Sequence, residues 1–340
     1  MLKQLYLDGN PIDSMPDCVR SLNRLEKLSL NCCGNLKTVM CAPIQLKCLD
    51  IYQCQSLEKV TFHPELSSLP TLYYEDTFSL TEIEYGFRTQ ALSEIDEEVL
   101  HSLGWINIAY LNHCRFSMAN WIGTYDLDRR ILPAQMLYEH GIFSTYLQGK
   151  EVLEWFTQRS SGSFTLQSPP KNGKIKGINV CIVRTISSMK EAGPWRIKIK
   201  NLTKNSSWTY KPMMYLVPEK DAFEDRGEVD VVWLSHWMFG KNEFEHGDQV
   251  SIHFSVRYDG PKFTREIRYG PFYENVRQYG ISLVYDDDDN NDGGKHKEDP
   301  LGYYKSWKYI IGTDLSAFEL LPSHYLLYPT VSLSMLKYYI

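Results

Sequence analysis

A chain of 340 residues with 36 basic and 42 acidic side chains carries a formal net charge of −6, which argues against the clustered basic face of a nucleic-acid-binding protein. It is 43% hydrophobic and 13% aromatic, the make-up of a soluble protein long enough for two packed domains of about 100–200 residues each. No run approaches the ~18 uninterrupted apolar residues of a membrane helix, and Met1-Leu-Lys-Gln-Leu5 lacks the charged-then-apolar order of a secretory signal. A cytoplasmic or nuclear protein engaging neither nucleic acid nor membrane is expected.

Six of the eight cysteines (Cys18, Cys32, Cys33, Cys41, Cys48, Cys54) fall within the first 54 residues. An intracellular chain keeps them reduced. No C-x2-C pair and no interleaved histidine occurs among them, so zinc-ligand spacing fails. A repeat accounts for them instead. Leu2-x-x-Leu5-x-Leu7-x-x-Asn10 recurs as Leu25-x-x-Leu28-x-Leu30-x-x-Cys33 and as Leu46-x-x-Leu49-x-Ile51-x-x-Cys54, at intervals of 23 (2 to 25) and 21 (25 to 46) residues. These lie in the leucine-rich-repeat range, in which each short L-x-L strand lines a concave face. Asn10, Cys33 and Cys54 occupy the rung that turns inward to the backbone of the neighbouring turn, a structural role. Ile12, Met15, Leu36, Val39, Leu57 and Val60 supply apolar contacts on the convex side, and a degraded fourth repeat is expected through Leu66, Leu69 and Leu72. A solenoid that starts at its first residues exposes apolar surface unless capped, so the chain is expected to be a fragment of a longer protein.

All eight tryptophans lie after residue 104, a composition shift that marks a boundary. Residues 92–140 read as mostly helical. Asp96-Glu-Glu-Val-Leu-His-Ser-Leu103 places acids where a helix N-terminus favours them, and Asp126-Leu-Asp-Arg-Arg-Ile-Leu132 reads as a second short helix before Pro133. From about 145 the period becomes two. Ile178, Val180 and Ile182 alternate with Asn179, Cys181 and Val183; Ile197 and Ile199 with Arg196, Lys198 and Lys200; Ile252, Phe254 and Val256 with Ser251, His253 and Ser255. Such alternation makes a sheet with one buried and one wet face, and further strands are expected at 163–168, 208–217, 230–236, 281–285 and 306–311. The reading is an α/β leucine-rich-repeat solenoid (1–90), a partly helical linker (91–142) and an all-β antiparallel sandwich of jelly-roll or immunoglobulin-like kind (143–340).

The sequence carries no G-x-x-x-x-G-K-[ST], G-x-G-x-x-G, H-E-x-x-H or G-x-S-x-G. The acidic run Asp286–Asp292 fails as a calcium loop, because counting from Asp286 puts Asn291 where glycine belongs and Lys297 where glutamate belongs; it reads as a solvated loop. Asn201-Leu-Thr203 and Asn205-Ser-Ser207 read as turn residues rather than glycosylation sites. His236 beside Trp237 has no serine or cysteine placed with it, and reads as a satisfied histidine at a strand end. Glu151 and Glu154 flank a Trp155-Phe156 pair, yet residues three apart on an extended strand point to opposite faces, so they cannot span one glycosidic bond. No catalytic, cofactor-binding or metal-binding residue is assigned.

Gly149-Lys-Glu-Val-Leu-Glu-Trp-Phe156, followed by Ser160-Ser-Gly162-Ser163, resembles the start of the domain that follows the repeats in plant TIR-type nucleotide-binding leucine-rich-repeat disease resistance proteins, the C-terminal jelly-roll/Ig-like domain. Ser235-His-Trp-Met-Phe-Gly240, Gly247-Asp-Gln-Val-Ser251, Tyr279-Gly-Ile-Ser-Leu-Val-Tyr285 and the linker Leu111-Asn-His-Cys114 resemble the same family. Two features depart from it: Leu153 stands where the family has proline, and the TIR and nucleotide-binding domains are missing. The resemblance implies a structural role for Gly149, Glu151, Glu154, Trp155, Phe156, Gly162, His236 and Trp237. It implies recognition of a pathogen effector protein, with the TIR and nucleotide-binding domains of the parent receptor as further partners. It also implies no enzyme activity, since the NAD-consuming TIR domain is absent from the sequence. Candidate contact residues are Tyr6 and Tyr52 on the repeats and Asn172, Asp259, Lys262, Asp287, Asp289 and Asp292 in loops. A stand-alone decoy or adaptor, a lectin-like carbohydrate-binding sandwich and a hydrolase using Glu154 are the competing readings.

Overall fold

Leucines that recur once per coil dictate one short strand per turn, all running the same way. The computed structural model describes residues 2–63, 65, 70–74, 77, 79–84, 87–105, 108, 115–120, 131–139, 141–156, 158–159, 163–166, 175–186, 195–210, 214–217, 228–239, 243–256, 276–285, 319–321 and 324–327. The first part winds through β1 (Gln4–Tyr6), α1 (Asp17–Arg20), β2 (Lys27–Ser29), β3 (Thr38–Ala42), β4 (Cys48–Asp50), β5 (Lys59–Phe62), β6 (Thr71–Tyr73) and β7 (Glu82–Ile83). Strands β1, β2, β4 and β6 form one parallel sheet, in which Leu5, Leu28, Leu49 and Leu72 stand in register. Strands β3, β5 and β7 form a second parallel ladder, aligned at Val39, Val60 and Ile83. The two ladders enclose one apolar core that contains Leu28, Leu49 and Leu72 from the first, Val39, Val60 and Ile83 from the second, and Met15, Leu36 and Leu57 from the turns between. The fourth coil is real at Leu72; Leu66 and Leu69 lie outside the described residues.

The turns after β1, β2 and β4 of the first sheet are closed by two devices. Cys33 Sγ donates to Leu7 O at 3.2 Å and Cys54 Sγ to Leu30 O at 3.1 Å, each reaching back one coil. Asn10, in the first coil, is exposed and its Nδ2 donates to Leu7 O within its own turn at 2.9 Å. Burial pushes the Cys33 thiol up and that of Cys54 to about 11, which keeps both protonated as donors. The residue before each rung, Gly9, Cys32 or Gln53, has a left-handed φ of 67°, 58° and 55°. A second cross-coil chain runs alongside: Asn31 N donates to Asp8 Oδ1 and Tyr52 N to Asn31 Oδ1, both at 2.8 Å.

Strand β8 (Phe87–Ala91) folds back antiparallel on β7 and ends the coiling. A 3-10 turn (Leu92–Glu94) and α2 (Glu97–Ser102) follow, the latter capped by Asp96, whose side chain accepts from Glu98 N at 2.9 Å. The rest of the stretch read as mostly helical contains strands instead: β9 (Arg115–Asn120), β10 (Ile131–Pro133) and β11 (Gln135–Glu139). Ile131 and Leu132, read as the end of a second helix, are extended, because a residue before proline is driven out of the helical region; 126–130 lie outside the described residues.

Beyond lie β12 (Ile142–Gln148), β13 (Gln158–Arg159), β14 (Ser163–Thr165), β15 (Ile175–Ile186), β16 (Trp195–Asn201), β17 (Ser206–Tyr210), β18 (Met214–Val217), β19 (Val229–Met238), β20 (Gln249–Val256), β21 (Val276–Tyr285), β22 (Glu319–Leu321) and β23 (His324–Leu327). A ten-stranded sheet runs β13-β21-β15-β19-β12-β11-β8-β7-β5-β3, so the antiparallel strands continue without a break into the second ladder of the repeats. A six-stranded sheet, β14-β20-β16-β17-β23-β22, packs across it, and β10-β9-β18 form a third. The segment 208–217, read as one strand, is divided between β17 and β18 in different sheets, while 306–311 lies outside the described residues.

Period two sorts the central strands onto two apolar layers. Ile142, Tyr146, Ile178, Val180, Ile182, Trp233 and Trp237 meet Ile197, Ile199, Trp208, Tyr210 and Ile252 of the six-stranded sheet. The opposite face, expected to be wet, is not. Phe143, Leu147, Cys181, Val183, Val232 and Leu234 are buried against Leu92, Leu100, Leu103, Trp105 and the turn bearing Val152 and Phe156. Both faces of β15 and β19 are therefore dry, as for any strand covered on two sides.

The left-handed turn positions predict the direction of two substitutions. A Cβ on Gly9 would meet nothing within 4 Å, so Gly9→Ala should cost about 1 kcal/mol from backbone strain alone, and Cys32→Gly should gain up to about 1 kcal/mol. Urea unfolding midpoints of the two variants check both signs.

Candidate functional site

In each strand of the first ladder the middle residue points into the core and its neighbours point away from it. The outward row brings together Gln4 and Tyr6 of β1, Lys27 of β2, and Cys48 and Asp50 of β4. Lys27 Nζ lies 2.9 Å from Asp50 Oδ2 and 5.8 Å from the centroid of the Tyr6 ring. Tyr6 Oη donates to Gln4 Oε1 at 3.1 Å, and Tyr6 is 57% exposed. Cys48 Sγ donates to Asp50 Oδ1 at 3.2 Å; burial first, and the Asp50 carboxylate second, push its thiol to about 11. A neighbouring column sets Glu26 between Lys3 and Lys47, at 2.8 and 2.9 Å. Hydrogen bonds from these two ammonium groups, with their charge, hold the Glu26 carboxyl down at about 2. Tyr52 is half-buried, and its Oη accepts from Gln53 Nε2 at 3.0 Å. The row presents an aromatic ring, a cation and an acid whose positions are already fixed, so a partner would order little on docking.

The residues of the Gly149–Phe156 motif do not form a strand, which corrects the alternation expected there. They form a turn closed by Phe156 N donating to Leu153 O at 3.1 Å. Phe156 is buried and Trp155 half-buried, their rings stacked at 4.2 Å with 24° between planes. Glu151 and Glu154 are exposed. Two glycines explain how the turn seats itself. A Cβ on Gly280 of β21 would lie 2.4 Å from Val152 Cγ1 and 2.9 Å from Phe156 Cγ, and one on Gly149 would lie 2.9 Å from Val232 Cγ2. Two stretches distant in sequence, 149–156 and 279–285, are thus two halves of one contact.

His236 and Trp237 lie on opposite faces of β19. Trp237 is buried between the two large sheets. His236 is 1% exposed and its Nδ1 lies 2.8 Å from Asn179 Oδ1, which also accepts from Trp105 Nε1 at 3.3 Å. Asn179 Nδ2 donates to Leu103 O at 2.8 Å. Since the amide oxygen only accepts, His236 carries its proton on Nδ1. A Cβ on Gly177 would lie 2.5 Å from His236 Cε1 and 2.7 Å from its Nε2, so that side of the ring lies against bare backbone. Sequence reasoning misses Asn179, Trp105, Gly177 and Gly280 as members of these clusters; glycines inside otherwise apolar strand runs are the available signal. Asn201, the first sequon residue, is buried with Nδ2 bonded to Asp248 Oδ2 at 2.6 Å, whereas Asn205 sits in the turn with φ 51°. Among the described residues no group of three or more His, Cys, Asp or Glu could hold a metal ion, and no helix is long and apolar enough to cross a membrane. Gly162, Asn172, Asp259, Lys262, Asp287, Asp289 and Asp292 lie outside the described residues.

No protein-family model matches the chain. It is 24% identical over 324 residues, 89% of its length, to Disease resistance-like protein CSA1 of Arabidopsis thaliana. It is 26% identical over 306 residues, 85% of its length, to Disease resistance protein RPS4 of the same plant. A stretch of 57 residues, 17% of the chain, is 39% identical to 5% of Disease resistance-like protein DSC1, also of Arabidopsis thaliana. The chain covers 24% and 23% of the length of the first two relatives. It is a relative of plant disease resistance proteins.

Two measurements test the geometry. Gly280→Ala should destabilise by about 1–3 kcal/mol through overpacking against Val152 and Phe156, read from the thermal or urea midpoint. Because the folded-state value of Glu26 is depressed, its ion pairs stabilise above the ordinary carboxylate range and are lost as pH falls from about 4.5 toward about 2. A carboxyl-carbon NMR titration should place Glu26 near 2 and move it upward in a Lys3→Ala/Lys47→Ala variant.

Proposed function

We propose that this chain is the ligand-recognition region of an intracellular plant immune receptor. In this reading it holds the last leucine-rich repeats and the C-terminal jelly-roll/Ig-like domain of a TIR-type nucleotide-binding receptor. It senses a pathogen effector by protein–protein contact in the cytoplasm or nucleus. Residues 1–90 are the repeats, 91–142 the post-repeat linker and 143–340 the sandwich; catalysis belongs to domains of the parent receptor outside this sequence.

The carrying observation is the similarity to disease resistance proteins along 85–89% of this chain, although it covers only about a quarter of them. The fixed row of Tyr6, Lys27 and Asp50 supports a binding role, since exposed aromatics and oriented charges are what protein interfaces enrich. The lectin-like reading loses ground among the described residues, where Trp105, Trp208, Trp233 and Trp237 are buried and Trp155 is half-buried.

The test is a binding screen of the chain against secreted pathogen proteins. Tyr6→Ala combined with Lys27→Ala should weaken capture of the cognate protein by about tenfold or more, the loss expected from a central hot spot, with little change in melting temperature. Micromolar glycan binding abolished by Trp155→Ala would replace this reading with the lectin-like one. An open reading frame upstream of Met1 that encodes no TIR or nucleotide-binding region would make the protein a stand-alone decoy or adaptor.

A further inference from the structure

Strand β16 alternates Ile197 and Ile199, which fill the core between the two large sheets, with Lys198 and Lys200. Period two therefore puts both lysines on the opposite face of the six-stranded sheet. Register sets their neighbours, since residues paired across antiparallel strands share a face. Lys200 stands between Ser251 of β20 and Ser207 of β17, and Lys198 between His253 and Thr209. Ser207, Thr209 and Ser251 are buried, the two lysines half-buried and His253 exposed. The array holds two ammonium groups, hydroxyls and an imidazole, and no acid. Other lysines of the chain face acids: Lys3 and Lys47 share Glu26, Lys27 meets Asp50, Lys59 meets Glu82 and Lys204 meets Glu245. Among the described residues Lys198 and Lys200 have no such partner. The acids of the turn leading into β20 are engaged already, Asp248 by Asn201 Nδ2 at 2.6 Å and Glu245 by Lys204 at 3.2 Å. Burial first, and the charge of Lys200 second, push the Lys198 ammonium below its ordinary range.

We propose that this face docks an extended acidic segment of a partner protein, with alternate carboxylates meeting Lys198 and Lys200 one to one. Like charges two apart on one strand repel, and partial burial adds to the cost of each. A ligand that neutralises them gains more than it would from lysines already paired. Spacing selects the form of that ligand. Residues i and i+2 of a strand lie about 6.7 Å apart, and an extended segment with acids at alternate positions repeats the same interval. A single small anion would have to draw both ammonium groups to one point, whereas a segment meets each where it stands. The hydroxyls alongside add hydrogen-bonding groups without a competing acid. The face belongs to the six-stranded sheet, so it stands whether or not the row of Tyr6, Lys27 and Asp50 binds a partner.

Fluorescence anisotropy of the full chain with two labelled peptides tests this. Both are threonine-based and carry the same number of aspartates, at alternate positions in one and consecutive in the other. The alternate peptide should bind the more tightly. Lys198→Gln combined with Lys200→Gln should weaken it about tenfold or more, the loss of two charge-assisted contacts. A charge-matched variant, Lys37→Gln with Lys150→Gln at two exposed positions, should bind it as the wild type does. No binding, equal affinity for the two peptides, or an equal loss in both variants overturns the proposal. So does displacement of the peptide by inorganic phosphate at matched ionic strength, which would point to a site for a single anion. If the Lys198→Gln/Lys200→Gln chain does not fold, hydrogen exchange of the wild-type chain decides: protection by the peptide in β16, β17 and β20 supports the proposal, and protection confined to other strands refutes it.

Discussion

Everything in this protein hangs from one uninterrupted ladder of backbone hydrogen bonds that changes character partway along. From β3 to β7 the partners run parallel, one strand per coil. At β7–β8 the chain reverses, with Ile83 against Phe87, and from β8 to β13 the partners run antiparallel. Parallel stacking leaves the last coil with an open edge, and open edges invite pairing with other chains. Here the edge is covered by β8, which makes the end of the solenoid and the beginning of the sheet the same object. The cores follow from that choice. One lies inside the coils, and the other two lie on either face of the sheet that grows from them.

Much of this is legible in the residues. The repeat interval locates the coils because a leucine that must face inward once per turn leaves a mark in sequence, and Val39 and Val60 mark the second ladder in the same way. Period-two alternation locates β15, β16 and β20. The wet face assigned to Asn179, Cys181 and Val183 is the main misreading. Alternation records a difference between two faces, and here both are covered, one by a sheet and the other by helix, turn and indole. Nothing local in the sequence says that Leu100, Trp105 and Phe156 will return to that face. The turn at 149–156 is hidden for the same reason. Its shape is set by bare backbone at Gly280, more than a hundred residues away.

The site is legible to a smaller degree. Tyr6 and Tyr52 can be placed on the repeats from the pattern, but the clustering of Lys27 and Asp50 with Tyr6 depends on how three successive coils superpose. His236 reads as structural for want of a nucleophile, and its surroundings give the physical content of that role. Its ring is fixed on one nitrogen by Asn179 and confined by Gly177. The tryptophans are settled by the structure. Their number fits binding surfaces and cores alike, and four of them serve as the bulk that fills the space between layers, where a large rigid ring is worth most.

The side-chain acceptors of Asp8 and Asn31 each serve the coil that follows, and the thiols of Cys33 and Cys54 each serve the coil before. Every such link spans one coil and no more. A whole turn could therefore be duplicated or lost upstream of β7 without disturbing any bond beyond its immediate neighbours. Gain or loss of one coil would lengthen or shorten the exposed row by one strand spacing, about 4.8 Å, while the sheet that anchors its far end stays as it is.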